Sequence, residues 1–427
     1  MGAGGSEKRV NEVAEMKKRV LLIVLLILAL LATGCQTETA QPQGSSPNSL
    51  VVPSATRPED IEPTATYDWM AGESPVPNKR MGLQRAGING LYYTLSPTGI
   101  YFIDNPDSGG SFIRYADNGS DTFIKLCGRP DCNHGNENCN AYLNYGNALC
   151  YYGGYLYAVT GTGAIAPECK LIRMEPDGSN HVAVLDLREF AKAHGGDYVE
   201  CNVFREGYCL FSVYDFKDMG GQFSGTWIAY YLYKLDGSME EPQNVMNVGG
   251  GGMILYNWGT VCLTYRNDVQ NGGEYGSYWN WDPETDTITY LTDHPGQPGW
   301  FGEDEAYYFK DGAICRLTYA SQTEEKVVDT GLEGNYYLFA FPDCIAVACR
   351  DLSEATDNCL YIYNWAFELV ETVEIGYSHS LGSAHLLITE TAERFILSDE
   401  PMGMPKYYIN KAELGTGDVK LHKFSYT

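Results

Sequence analysis

The sequence predicts an all-β protein, a β-propeller of four-stranded antiparallel blades, and three observations carry that expectation. Helical periodicity is confined to one short segment, Leu187 to His194, which Asp186 caps and Gly195 ends. Elsewhere, short runs rich in Tyr, Val, Ile, Phe and Leu are broken by Gly, Asp, Asn and Pro at intervals of about ten residues. From Tyr92 to Phe424 a pair of hairpins recurs, and such recurrence marks a repeat architecture.

One member of each pair is an inner hairpin. It runs from Tyr92 to Asp104 around Pro97-Thr98-Gly99, then from Ala148 to Val159 around Gly153-Gly154, Asn202 to Tyr214 around Glu206-Gly207, and Ile254 to Tyr265 around Trp258-Gly259. Fainter copies follow at Trp300 to Lys310, Tyr337 to Arg350 and Leu386 to Leu397. The outer hairpin is clearest at Leu171 to Leu185, where Glu175-Pro176-Asp177-Gly178-Ser179 supplies the turn. Its counterparts are Phe112 to Lys125, Tyr231 to Met246, Tyr278 to Leu291, Ile314 to Val328, Tyr361 to Val373 and Tyr407 to Phe424.

Seven inner and seven outer hairpins make seven four-stranded units. Their spacing of roughly fifty residues suits a propeller blade and no helical solenoid. Each unit leaves an apolar face that only a neighbour covers, so the units close into a ring. Six or eight blades stay open as alternatives because the spacing is uneven, and two packed β-sandwiches would use the same strands. The glycine block Gly249 to Gly252 and the weak strand near Trp300 are where the count is weakest. For closure, Tyr67 to Ala86 is expected to lay a strand beside Val419 to Phe424, locking the first and last blades in one mixed sheet.

The N-terminal region reads differently. Met16-Lys17-Lys18-Arg19 followed by the apolar run Val20 to Leu31 has the charge and length of a signal peptide, which makes Met16 the expected true start. The run is about a dozen residues, short of the roughly 18 to 20 that span a bilayer. It ends in Leu31-Ala32-Thr33-Gly34-Cys35, which resembles the bacterial lipobox, with Ala32 where Leu or Val is usual. That resemblance implies cleavage before a lipidated Cys35, and a lipid holds a protein at a membrane without a spanning helix. Gln36 to Thr66 is dominated by Thr, Ser, Pro, Gln and Glu, a composition that cannot bury a core. Residues 1–34 are therefore expected to be leader and signal peptide, 35–66 lipidated cysteine and tether, and 67–427 the propeller. The formal net charge of -26 argues against nucleic acid or anionic lipid as a ligand. The expected location is the extracytoplasmic face of the cell membrane, and the expected state is a monomer.

Leu171-Ile172-Arg173-Met174 followed by Pro176-Asp177-Gly178-Ser179-Asn180 looks like the outer hairpin of TolB-like propellers. The plan as a whole, from lipobox through Leu126-Cys127-Gly128-Arg129-Pro130-Asp131-Cys132-Asn133-His134 to Cys139-Asn140-Ala141, resembles uncharacterised propeller lipoproteins of Gram-positive anaerobic bacteria. The resemblance implies a fold and a location and supplies no catalytic residue.

Thirteen cysteines make this residue type the most informative one. Cys150, Cys209, Cys262 and Cys315 sit inside expected strands at alternating apolar positions, as small buried thiols do. Cys127, Cys132, His134 and Cys139 are different, because they crowd a polar loop between the first two blades. Three thiols and an imidazole form the Cys3His set of a closed tetrahedral zinc site. In an oxidising exterior the same cysteines would instead pair, Cys127 with Cys132 or Cys132 with Cys139, leaving the odd thiol for a neighbour such as Cys150. Another soft metal in place of zinc, and free thiols, are the remaining readings; under a metal or a disulfide the loop is stapled, and four protein ligands leave no open position for catalysis.

No nucleophile elbow, phosphate loop or zinc-hydrolase motif occurs in the sequence. The carboxylates Asp282, Glu284, Asp286, Glu303-Asp304-Glu305 and Glu324-Glu325 read as solvated turn residues, although a glycosidase pair among them would not be visible in sequence. Trp279, Trp281 and Trp300, with Tyr275 and Tyr278 nearby, are candidates for stacking on a sugar or a peptide. The leading functional expectation is a surface-displayed binding or scaffold module for a protein or glycan. The alternative is an extracytoplasmic carbohydrate-active enzyme with carboxylates in the propeller channel, and whether the chain is an enzyme is left open.

Overall fold

A computed structural model describes residues 66–76, 93–104, 110–161, 168–205, 207–218, 223–247, 253–258, 261–266, 277–282, 285, 287–293, 297–334, 336–349, 359–375, 386–399 and 404–427. The expected signal peptide, Cys35, the tether to Ala65 and the block Gly249 to Gly252 lie outside them. Among the described residues the strands form seven sheets, six of four strands and a larger first one. Every sheet is one inner hairpin followed by one outer hairpin, at the positions read from the sequence.

The first blade shows how local sequence sets register. Tyr93–Ser96 pairs antiparallel with Gly99–Asp104, Ser96 opposite Gly99, so the turn is only Pro97-Thr98. The Ser96 hydroxyl oxygen accepts from the amides of Thr98 and Gly99, at 3.3 and 3.1 Å, which satisfies donors the tight turn would strand. Ser111–Asp117 and Thr122–Lys125 complete the sheet.

Burial falls from the ring centre outward, and composition follows it. Ile345–Cys349, second strand of the sixth blade, is buried at every position, whereas Leu369–Glu374, the outermost, buries only Val373. Inner strands are packed on both faces by neighbouring blades and so read as continuous apolar runs; outer strands meet water and alternate.

Among the described residues, six of the seven seams show an apolar cluster drawn from two blades. Ile103 and Tyr115 of the first blade pack with Leu149, Leu156 and Met174 of the second. Tyr157 and Val159 of the second pack with Phe204 and Phe211 of the third, under the helix Leu187–Ala193. That helix forms as its sequence predicts, with the Asp186 carboxylate accepting from the Glu189 amide at 3.0 Å. Tyr278 and Leu291 of the fourth blade meet Phe301 and Tyr308 of the fifth, and Phe309 of the fifth meets Leu338 and Val347 of the sixth. Phe341 and Ala346 of the sixth meet Phe395 and Leu397 of the seventh, whose Ile396 and Tyr408 pack on Ile100 and Phe102 of the first.

Of the segment expected to close the ring, Tyr67 to Val76 forms no strand, and residues 77–86 lie outside the described residues. Beyond the seventh blade, Ser425–Tyr426 pairs parallel with Thr122 and Phe123 at the outer edge of the first. Tyr426 stacks on Phe123 there while Phe424 meets it edge-on, and Arg394 reaches across to the carbonyls of Gly119 and Ser120 at 2.7 and 2.6 Å. The Tyr67 segment instead lies on the sixth and seventh blades. The Tyr67 hydroxyl donates to the Ala392 carbonyl, the Trp69 indole to the Lys411 carbonyl, and the Ala366 amide to the Ala71 carbonyl.

Candidate metal centre

The Cys-rich stretch is an insertion in the outermost strand of the first blade. That strand runs to Lys125, leaves the sheet, and rejoins the same neighbour at Tyr142–Leu143. Both ends of the excursion meet at Ile113, whose carbonyl accepts from Leu126 and whose amide donates to Ala141, at 2.9 and 2.8 Å. The base is thus pinched by a single residue. Cys127 and Cys139 are buried beside it, while Cys132 and His134 are partly exposed.

The structure brings all four candidate ligands together. The three sulfurs and one His134 nitrogen lie within 4.8 Å of one another. A tetrahedral ion with bonds of about 2.3 Å to sulfur and about 2.0 to 2.1 Å to nitrogen has edges of roughly 3.5 to 3.8 Å. Cys139 Sγ stands 3.5 Å from His134 Nδ1, at the length of such an edge. The three cysteines carry free thiols in the structure. The donor set can hold a metal ion.

Local backbone explains how four ligands converge from so short a segment. His134 has φ +53, in the left-handed region, so the chain turns sharply at this ligand, and its Nδ1 lies beside Cys139 Sγ five residues on. Its amide donates to Cys132 Sγ at 3.4 Å, and that bond holds the Cys132 thiol below its ordinary range by favouring the thiolate. Burial acts oppositely at Cys139 and pushes its thiol up to about 12. Lys125 Nζ donates to the His134 carbonyl at 2.8 Å, and Arg129 donates to the Asn138 carbonyl at 2.7 Å, so two cations brace the loop.

The other sequence candidates fare unevenly. Trp300 is a core residue, 5% exposed, packed beside Tyr307; it offers no open ring face, because its strand is the innermost of the fifth blade. Trp279 is half-buried and stands edge-on to Tyr290 at 5.1 Å, while Tyr290 is 41% exposed. Tyr290 lies opposite Trp279 on the outermost strand, a pairing visible only once the register is known. The Trp281 side chain and those of Tyr275 and Cys262 lie outside the described residues. Cys150, Cys209 and Cys315 are buried. Glu324 and Glu325 stand on the outermost strand of the fifth blade in ion pairs with Lys310 and Arg316, away from the ring centre.

One buried charge cluster escaped the sequence reading. Lys411 is fully buried and donates to Asp343 at 2.5 Å and to Glu390, with the Phe395 ring 4.8 Å away. Asp343 comes from the sixth blade and Glu390 and Lys411 from the seventh, so the cluster ties that seam.

The sequence matches no known family and no curated protein. Among solved structures the chain is similar to TolB from Acinetobacter baumannii, at 12% identity over 74% of this chain and 78% of that one, with a TM-score of 0.31. It is similar to a puromycin-hydrolyzing peptidase of Mycobacterium tuberculosis at 11% identity, TM-score 0.44, over 85% of this chain and 57% of that one. An oligogalacturonate lyase solved with manganese matches at 12% identity, TM-score 0.37, over 60% of this chain and 73% of that one. The propeller assignment rests on the seven sheets themselves.

Proposed function

We propose that this chain is a lipid-anchored lipoprotein of the extracytoplasmic membrane face, akin to the propeller lipoproteins of Gram-positive anaerobes, whose ring holds a protein or glycan ligand as a monomer. The observation that carries the reading is the combination of seven sheets in a ring with an apolar N-terminal run that ends in a lipobox-like stretch at Cys35. A lipid tether supplies location, and a rigid disc supplies a surface; neither needs a catalytic group. The Trp279 and Tyr290 pair supports a glycan or peptide contact at the rim, where an aromatic face meets water. Pulldown and glycan-array screening with the domain from Tyr67 onward tests the binding reading, and turnover of a polysaccharide without stable binding would replace it. Cys35→Ser should release the protein from membranes with its fold unchanged; a mature N-terminus upstream of Cys35 or without lipid would refute the anchor.

The metal at Cys127, Cys132, His134 and Cys139 is proposed to be a structural zinc. Three thiolates and one imidazole are the soft set zinc prefers, and a closed set of four serves structure. Anaerobically purified protein should carry one zinc per chain by mass spectrometry. A disulfide among the three cysteines, with His134→Ala leaving loop protection unchanged, would overturn this.

A further inference from the structure

We infer that the Cys3His site is the lock of the seam between the first and second blades, with Gly178 and His181 of the second blade as its receiving part. The inference rests on the metal reading above and extends it from the insertion to the ring. Cys127 and Cys139 belong to the apolar cluster that joins the two blades, in company with Leu126 and Ala141 of the insertion and Ile172 and Met174 of the second blade. The ligands are thus part of the seam and not an appendage on it.

The contact surface is shaped on both sides. A Cβ built on Gly178 would stand 2.8 Å from the Leu126 carbonyl oxygen and 3.1 Å from that of Asn140, so no other residue lets the turn approach so closely. Gly178 also has φ +79, which the turn requires. The turn itself is stiff: Gly178 donates to the Glu175 carbonyl, Glu175 to that of Ser179, and the Ser179 amide to the Asp177 carboxylate at 2.8 Å. His181 Nε2 lies 3.0 Å from the Asn140 carbonyl and 2.9 Å from that of Gly178. Both are acceptors, so Nε2 carries the proton and shares it between the two blades. Asn140 follows Cys139 directly, so a ligand drawn onto a metal fixes the carbonyl that His181 reads. Outer-shell groups bonded directly to the ligands tune metal affinity by about 10- to 100-fold, and His181, one residue removed from Cys139, is expected at the low end of that range.

Zinc titration of the full-length protein, followed by hydrogen exchange, tests the coupling. Zinc is expected to raise protection at residues 175–181 of the second blade together with residues 127–142. His181→Ala is expected to keep one zinc per chain, weaken its affinity about tenfold and remove the added protection of the turn. His181→Gln, which keeps a donor, is expected to recover part of both. Zinc bound with protection confined to residues 127–139, or His181→Ala binding zinc as tightly as the parent, overturns the coupling alone. Absence of zinc from the parent protein overturns it together with the metal reading.

Discussion

Two seams of the ring are closed by opposite means. Between the sixth and seventh blades, the chain supplies every charge itself: Lys411 is buried against Asp343 and Glu390 and capped by the Trp69 indole on its carbonyl. Between the first and second, the chain supplies only ligands, and the proposed cation comes from solution. An ion pair sealed in the core is present whenever the protein is folded, and removing one member leaves a charge stranded. A site filled from outside adds stability only in proportion to metal concentration, as any ligand that binds the native state does. The contrast assigns permanence to one seam and adjustability to the other.

Breaking the permanent seam should cost most. Lys411→Ala leaves two carboxylates buried without their cation, and a loss of about 3 to 5 kcal/mol in denaturant unfolding is expected, independent of zinc. At the adjustable seam, Gly178→Ala forces a side chain into the left-handed region and against the Leu126 carbonyl, for an expected loss of about 1 to 3 kcal/mol. Thermal unfolding with and without zinc should show that this loss is larger when the metal is bound. His134→Ala should abolish stoichiometric zinc and lower the melting temperature only to that of the chelated parent, since it removes a ligand and no core volume. Equal melting temperatures of parent and variant in excess zinc would remove the distinction between the two seams.

The smallest effect sharpens the comparison with an ordinary surface pair. Burial alone would raise the Glu324 carboxyl, but the Lys310 ammonium and the Tyr308 hydroxyl bonded to it outweigh that and hold it below the usual range. A carboxyl lowered in the folded state stabilises above its unfolded value, about 4.3, and loses that contribution as pH falls through the folded value. Because Glu324 is 37% exposed, solvent screens the pair, and Glu324→Gln should flatten the acid limb of a stability profile only slightly.

Much of the ring was legible in the sequence because each blade is local. Apolar runs such as Ala148 to Tyr152 and turns such as Gly153-Gly154 fix a hairpin without reference to the rest of the chain. The four metal ligands were legible for the same reason, falling within thirteen consecutive residues, 127–139. Lys411, Asp343 and Glu390 were not, since Lys411 and Asp343 are 68 residues apart and each looks like an ordinary polar turn residue. Closure by Ser425–Tyr426 was missed because two residues carry no periodicity and a parallel partner leaves no hairpin to read. Trp300 misled because an aromatic on a short strand looks alike whether its strand is innermost or outermost.

The parallel ladder of Ser425 with Thr122 also sets an order of events at birth. The two hydroxyls that meet there are 303 residues apart in the chain. At about 5 to 20 residues per second, a ribosome would separate their emergence by roughly 15 to 60 s. Throughout that interval the outer edge of the first blade is a bare strand, able to capture any passing extended segment. A chain exported as proposed above would gain from being kept unfolded until the strand at Ser425 has been made.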